Sequence, residues 1–266
     1  MLTGDTFEKR FGRRAVFGMI HLKPLPGAPL FMGSLDEVID SALADARAIA
    51  EAGCDGFAIE NFGDRPFAKE QVGAETVAAM TRAICEICRA VDIPFGINVL
   101  RNDAASALAI AAATDASFIR VNVHTGAMLT DQGIIEGRAA ETLRLRARLA
   151  PDVAIFADHL VKHAVPLGAL DPVQSAKDLR LRGLADAIIV TGAETGSAPE
   201  AERLRILRAA IDAPLIIGSG VTAGNAASFD AADAAIVGTA IKRGGDVDQP
   251  VDVKRAAAIV RAFKGP

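Results

Sequence analysis

The sequence has no tryptophan, no tyrosine, only three cysteines and no apolar stretch long enough to cross a bilayer. With neither Trp nor Tyr as a stacking platform, no basic stripe and a net charge of −4, it excludes a nucleic-acid partner. An odd cysteine count argues for a reducing compartment and against a disulfide framework. Residues 1–14 are polar and charged and hold no apolar run of signal length, so a cytoplasmic location is expected. Cys85 and Cys88 form a C-x-x-C, but no second pair exists to complete a metal site. Val77, Thr81, Ile84, Cys88 and Val91 recur at steps of four and three. This places Cys88 on the buried face of a helix, with Cys85 beside it.

What the chain does have is apolar bulk and a regular alternation. Its 266 residues are 51% hydrophobic, enough for a large core in one unit spanning 1–266, and no linker interrupts them. Short runs rich in Val, Ile and Ala read as strands over 15–21, 56–60, 94–99, 117–122, 153–158, 186–191, 214–220 and 234–239. None alternates with polar residues, so each is buried on both faces, as in a parallel sheet. Helices fill the intervals. Ser34 with Glu37 reads as a capping box, Asp103 as a cap, Asp171-Pro172 as a cap with proline at the first turn, and Ser197 to Glu200 as another cap. Eight such units predict an α/β fold of the (β/α)₈ TIM-barrel type. A doubly wound open sheet could use the same alternation, but the unit count and the pattern after strands seven and eight favour the barrel.

That pattern runs from Pro214 to Lys242. Pro214-Leu-Ile-Ile-Gly-Ser-Gly220 and Ala234-Ala-Ile-Val-Gly-Thr239 are apolar runs ending on small residues. Gly218, Gly220 and Gly238 let backbone N–H groups approach a ligand, and the segments after them read as helix starts. Together these features predict a phosphate site that needs no lysine. Ser219, Thr239, Thr191, Gly192 and Gly196 are expected to assist.

In a barrel, chemistry gathers where strands end. The first six strands finish on His21, Glu60 with Asn61, Asn98 with Arg101, Arg120 with Asn122, Asp158 and Thr191. The densest cluster is Asp158-His-Leu-Val-Lys162-His163. Asp158 can be a general base or a metal ligand, and Lys162 can hold an anion or form a Schiff base. His21 and His163 suit proton transfer near neutrality. Arg120 can pair with Glu60 or Asp158 inside the barrel, or clamp a substrate. A divalent metal on Glu60, Asp158 and a histidine suits these ligand types, but no close ligand spacing supports it. Asn98, Arg120 and Asn122 are candidates to orient substrate oxygens. Loops 22–33, 61–73 and 123–137 are long, and Gly126, Gly133 and Gly137 in the third read as hinges of a lid.

Gly18-Met-Ile-His-Leu-Lys-Pro-Leu-Pro-Gly-Ala-Pro29 resembles the opening signature of the BtpA/SgcQ family. Glu60-Asn-Phe-Gly-Asp-Arg-Pro-Phe67, Asn122-Val-His-Thr-Gly-Ala-Met128 with Asp131-Gln-Gly133, Asp158 through Pro166, and Gly218-Ser-Gly220 resemble its later blocks. The resemblance covers nearly the whole chain and implies a TIM barrel related to phosphate-binding barrels. One branch of the family is named for photosystem I assembly, and another sits with sugar-phosphate utilisation genes. The expectation is an enzyme acting on a small phosphorylated compound, as isomerase, epimerase or lyase; the alternative is a non-catalytic assembly factor that keeps the ligand site. A homo-oligomer is expected by analogy with other barrels, with the apolar segment 24–32 as the contact.

Overall fold

The computed structural model describes residues 1–192 and 201–265. In chain order the first elements are α1 (Gly4–Phe11), β1 (Ala15–His21), α2 (Leu35–Glu51), β2 (Gly56–Glu60), α3 (Ala74–Ala90), β3 (Phe95–Asn98), α4 (Ala104–Thr114) and β4 (Phe118–Val121). Next come β5 (Ala127–Thr130), β6 (Gly133–Glu136), α5 (Ala139–Leu149), β7 (Ala154–His159), β8 (Ala164–Pro166), α6 (Pro172–Lys177) and β9 (Ala187–Val190). The chain continues with α7 (Ala201–Ala210), β10 (Leu215–Ile217), β11 (Ala234–Val237) and α8 (Val253–Lys264).

Eight strands close into a barrel in the order β1-β11-β10-β9-β7-β4-β3-β2, every pairing parallel. The expected TIM barrel is therefore the fold. Because all strands run one way, their C-terminal ends share one rim, and side chains two apart on a strand point into the same interior. The outward-facing residues, such as Ile20, Ile59, Ile97, Ile119 and Ile155, pack under the helices as the main core. Local signals explain the helix starts. Asp103 accepts from the Ser106 N–H at 2.9 Å, and Asp171 from that of Gln174 at 2.8 Å. Ser34 Oγ accepts from the Glu37 N–H at 3.2 Å, which is the Ser half of the predicted capping box.

The inward-facing residues fill the lower barrel with phenylalanine. Phe17, Phe118 and Phe156 meet Met19, Ile189, Ile216 and Ile236 there, and the Phe118 and Phe156 rings stack with centroids 4.2 Å apart. Gly96 makes this possible, since a Cβ on it would stand 2.1 Å from the Phe118 ring. The floor is closed by α1, which the polar reading of residues 1–14 does not anticipate. Its two apolar residues, Phe7 and Phe11, lie four apart and so share one face. That face inserts into the barrel, with Phe11 5.6 Å from both Phe17 and Phe156. Arg10 donates to Ser117 O and Arg180 to Leu2 O, which ties the segment across the barrel base.

Three further expectations need correction. The loop over 123–137 contains the hairpin β5–β6, and β8 from the loop after β7 joins it in a three-stranded antiparallel sheet. Strands this short alternate only once or twice, so their period-two pattern does not stand out. Gly126 and Gly133 hold φ of 71° and 93° in its turns. Gly137 is no hinge, because a Cβ there would stand 2.5 Å from the backbone of Thr125. On α3 the buried face carries Thr76, Ala79, Met80, Ala83, Ile84 and Ile87, about one residue round from the predicted stripe. Small alanines mark that contact face where helices pack closely. Cys85 and Cys88 are half-buried free thiols on its flank. Burial, with smaller effects from Cys85 and Asp115, pushes the Cys88 thiol up to about 11, so it stays protonated and inert near neutrality.

Between β10 and β11 the only helical piece is a three-residue 3₁₀ turn, Ala226–Ser228, and after β11 two more such turns, Thr239–Ile241 and Arg243–Gly245, precede α8. No helix of the described residues is long and apolar enough to cross a membrane. Leu30 and Met32, in the segment expected to join protomers, are exposed.

Replacing Phe11 with Ala empties the plug while leaving the mouth untouched. The expected outcome is a loss of about 3–5 kcal/mol in urea unfolding; a loss below about 1 kcal/mol would show that α1 is not part of the packed interior.

Candidate active site

The upper layer of the barrel is polar. β1 and β2 pair His21 with Glu60, and β2 and β3 pair Glu60 with Asn98, so the three stand in one row across neighbouring strand ends. His21 Nε2 lies 3.4 Å from Glu60 Oε1, and Asn98 Nδ2 donates to Glu60 Oε2 at 3.1 Å. Burial opposes the Glu60 carboxylate. The His21 hydrogen bond and charge, with Arg120 and Lys162 behind them, outweigh that burial and hold it at about 2. The His21 ring packs on Phe62, 4.8 Å between centroids, and its Nδ1 is buried without a hydrogen-bond partner among the described residues.

The second group is an ion pair at the barrel centre. Arg120 Nε and Nη2 donate to the two oxygens of Asp158, each at 3.1 Å, and Asn122 Nδ2 donates to Oδ2 at 2.7 Å. The Asp158 side chain is completely inaccessible. Three hydrogen bonds from Arg120 and Asn122 hold its oxygens, so Asp158 stands as the counter-ion of Arg120, one of the two pairings expected for that arginine, and it is not part of the cavity wall described below. Among the described residues no three His, Cys, Asp or Glu side chains stand together as a metal site. Burial works against the Arg120 guanidinium, but Asp158 and then Glu60 hold it protonated.

Lys162 reaches this layer from the loop after β7. Its carbonyl accepts from Arg101 Nη2 at 2.8 Å. Burial first, then the charge of Arg120, pushes its ammonium below the ordinary lysine range, against the pull of Glu60 and Asp158. His163 is exposed, at a left-handed φ of 56°, and is not part of the cavity wall described next. His159, next to Asp158, is buried outside the barrel interior against Arg203. Burial and that guanidinium lower it to about 4.

A cavity of about 230 Å³ joins His21, Glu60 and Lys162 to the glycine loops after β10 and β11. The two glycines on its inner wall serve the side chains. A Cβ on Gly218 would stand 2.5 Å from Ile189 and 2.7 Å from Thr191, and one on Gly238 would stand 3.0 Å from the His21 ring. The Gly218 N–H is spent on Val190 O at 2.9 Å, so Gly218 supplies room, not a donor. Gly220 holds φ 73°, and Asn225 braces its turn by donating to Gly220 O at 2.9 Å and accepting from the Thr222 N–H at 2.8 Å. The N–H groups of Gly220 and Val221 on one loop, and of Thr239 and Ala240 on the other, make no backbone hydrogen bond among the described residues. Thr191, Gly192 and Ser219 are buried beside this wall, with the Gly192 N–H 3.4 Å from Ser219 Oγ; Gly196 and the cap at 197–200 lie outside the described residues. A larger cleft of about 410 Å³ lies between α4 and α5 beside the end of β4, and His21, Glu60 and Lys162 do not line it.

The sequence matches the BtpA family over residues 12–265. The chain belongs to the BtpA family. It is 46% identical over 261 residues to the photosystem I biogenesis protein BtpA of Synechocystis sp., covering 97% of this chain and 91% of that protein. Among solved structures it is similar in fold to (S)-3-O-geranylgeranylglyceryl phosphate synthase from Thermoplasma acidophilum, in complex with its substrate sn-glycerol-1-phosphate. That match has a TM-score of 0.58 and 17% identity, and covers 99% of each chain. It is also similar in fold to N-(5'-phosphoribosyl)anthranilate isomerase from Pyrococcus furiosus, with a TM-score of 0.57 and 13% identity, covering 94% of this chain and 98% of that one.

In this BtpA-family barrel the long blocks noted in the sequence brace one another around the mouth. Asn61 Nδ2 donates to Asp64, Asp64 accepts from the Leu25 N–H, and Asn61 Oδ1 accepts from the Leu100 N–H at 2.7 Å. Asn61 is thus a brace of the first two loops and of the β3 end. Sequence reasoning passed over Lys242, whose buried ammonium pairs with Asp45 at 2.5 Å while Asp45 also accepts from the Val251 N–H. A lysine at a loop position in the chain carries no local sign of burial; only its long-range partner Asp45 reveals it.

Two outcomes follow from these charges. Arg120→Leu leaves Asp158 buried and unpaired, so stability should fall by about 3–5 kcal/mol in denaturant unfolding; a fall under about 1 kcal/mol would mean the pair is not desolvated. Glu60 has its folded value lowered to about 2 from an ordinary 4.5. Its contribution is therefore complete above about pH 4.5 and is lost as pH falls toward 2. Glu60→Gln should flatten that part of the acid-unfolding profile, and an unchanged profile would contradict the assignment.

Proposed function

We propose that this protein is an enzyme acting by acid–base chemistry on a small phosphorylated compound of the sugar-phosphate class. The observation that carries the reading is the single cavity with two unlike ends. One end presents unused backbone N–H groups on two adjacent loops. The other presents an imidazole, a carboxylate and a lysine of lowered pKa. The two solved structures named above carry names that involve phosphorylated compounds, which supports the phosphate end by analogy of fold.

In this mechanism Gly220, Val221, Thr239 and Ala240 hold the phosphate and so fix the carbon chain toward β1 and β2. Glu60, an anion at neutral pH, is too weak a base to abstract a carbon-bound proton itself. Paired with His21 Nε2 at 3.4 Å, it forms a carboxylate–imidazole couple on the cavity wall, and this couple takes up the proton. Asn98 fixes Glu60 from the other side. Lys162 and the Arg120 pair stabilise negative charge that develops on a neighbouring carbonyl oxygen, as an isomerase or epimerase requires. A lyase using Lys162 differs by one step. The amine adds to the carbonyl and loses water to form an imine, which borohydride reduces to a stable secondary amine.

A second reading is favoured by the name of the Synechocystis relative: an assembly factor that keeps the ligand site without turnover. Proton exchange separates the two. Incubated in heavy water with a panel of phosphorylated aldoses and ketoses, the protein should wash deuterium into one class of substrate, followed by NMR. His21→Asn and Glu60→Gln should slow that exchange by about 10²–10⁴-fold. Borohydride capture at Lys162 would convert the isomerase reading to the lyase. No exchange, no capture and intact biological activity in Glu60→Gln would establish the assembly factor instead.

A further inference from the structure

The loops after β10 and β11 place backbone donors on the cavity wall, and the segments that follow them directly are only three-residue 3₁₀ turns. Turns this short carry little dipole of their own, and neutral N–H groups alone leave an anion's charge poorly compensated. The compensating charge comes from elsewhere in the chain. Arg255 lies in the first turn of α8, where its own N–H donates to the capping Asp252 at 3.1 Å. Its side chain lines the same cavity as Gly220 and Thr239.

The guanidinium is anchored. Arg255 Nε donates to Ala240 O at 3.0 Å, on the loop that contributes the free Ala240 N–H. Beside it, Gly245 holds φ 73°, and a Cβ there would stand 3.6 Å from Arg255 Nη2. Arg255 makes no ion pair among the described residues, so both Nη groups remain available. With one nitrogen locked on the loop, the two Nη groups complete a planar fork of the kind that grips phosphate oxygens.

We infer that Arg255 is the phosphate-binding side chain of this site and that the ligand group held there is a phosphate monoester in its dianionic form. The inference rests on the phosphate reading above. Lys254, the adjacent and exposed cation on the same helix, serves as the control for a simple change of net charge.

The test is calorimetric titration of the full chain with inorganic phosphate and with glycerol 3-phosphate. Wild type, Arg255→Ala, Arg255→Lys and Lys254→Ala are compared after thermal melts confirm equal folding. The expected result is binding by wild type, weakened about tenfold or more in Arg255→Ala, partly restored in Arg255→Lys and unchanged in Lys254→Ala. Wild-type affinity should also fall as pH drops below about 6, where the monoester gains a proton. If wild type binds and Arg255→Ala binds equally well, the role of Arg255 is overturned while the phosphate pocket stands. If Lys254→Ala weakens binding as much as Arg255→Ala, the effect is long-range charge and the assignment fails. Wild type that binds neither probe overturns the phosphate reading itself.

Discussion

The Arg120–Asp158 pair is the interaction on which the rest of the molecule turns. It lies at the height where the barrel interior changes from phenylalanine to polar side chains, with Phe118 two residues below Arg120 on β4 and Phe156 two residues below Asp158 on β7. Desolvating two charges there is unfavourable unless both are fully hydrogen-bonded, and the bidentate geometry with Asn122 supplies that. Once Asp158 is committed, the electrostatics of the mouth are set. Glu60 remains the carboxylate facing the cavity, under the influence of His21, Arg120 and Lys162, and is held as an anion. Lys162, desolvated by burial and sharing the space with Arg120 and Arg101, loses part of its hold on its proton.

Stability and chemistry are thereby divided by height. The lower barrel is filled with aromatic side chains and sealed by Phe7 and Phe11, so it holds no room for a ligand. The upper barrel keeps a cavity because glycines stand at 218 and 238, where any side chain would strike Thr191 or His21. A rigid floor beneath an open, braced mouth is the division that suits a TIM barrel to catalysis. The three-stranded sheet adds a structured flank to the mouth, with Met128 and Ile135 packed against Val123 and Val161.

Much of this was legible in the sequence for a physical reason. Strands buried on both faces produce unbroken apolar runs, and the residue that ends each run falls at the rim, so His21, Glu60, Asn98 and Thr191 could be placed without coordinates. Caps such as Asp103 and Asp171 act within one turn and are equally local. What the sequence hid was non-local or sparse. Two phenylalanines in a charged segment do not resemble a barrel plug, and strands of three or four residues are too short to show a period. The pairing of Arg120 with Glu60 or Asp158 was foreseen, but which of the two carboxylates it chooses depends on strand stagger, and Asp158 lies 38 residues away in sequence. Arg255 looked like any cation on an amphipathic helix, since its anchor on Ala240 is a backbone oxygen with no sequence signature.

The central claim is that one cavity holds a phosphate at the Gly220 and Thr239 loops and presents the rest of the ligand to His21, Glu60 and Lys162. The most direct measurement is a crystal structure of the full chain grown with glycerol 3-phosphate. The account predicts phosphate density between those loops, within hydrogen-bonding distance of the Gly220 and Ala240 N–H groups, and carbon atoms directed toward His21. Ligand in the cleft between α4 and α5, or phosphate in the mouth facing away from both loops, would contradict it.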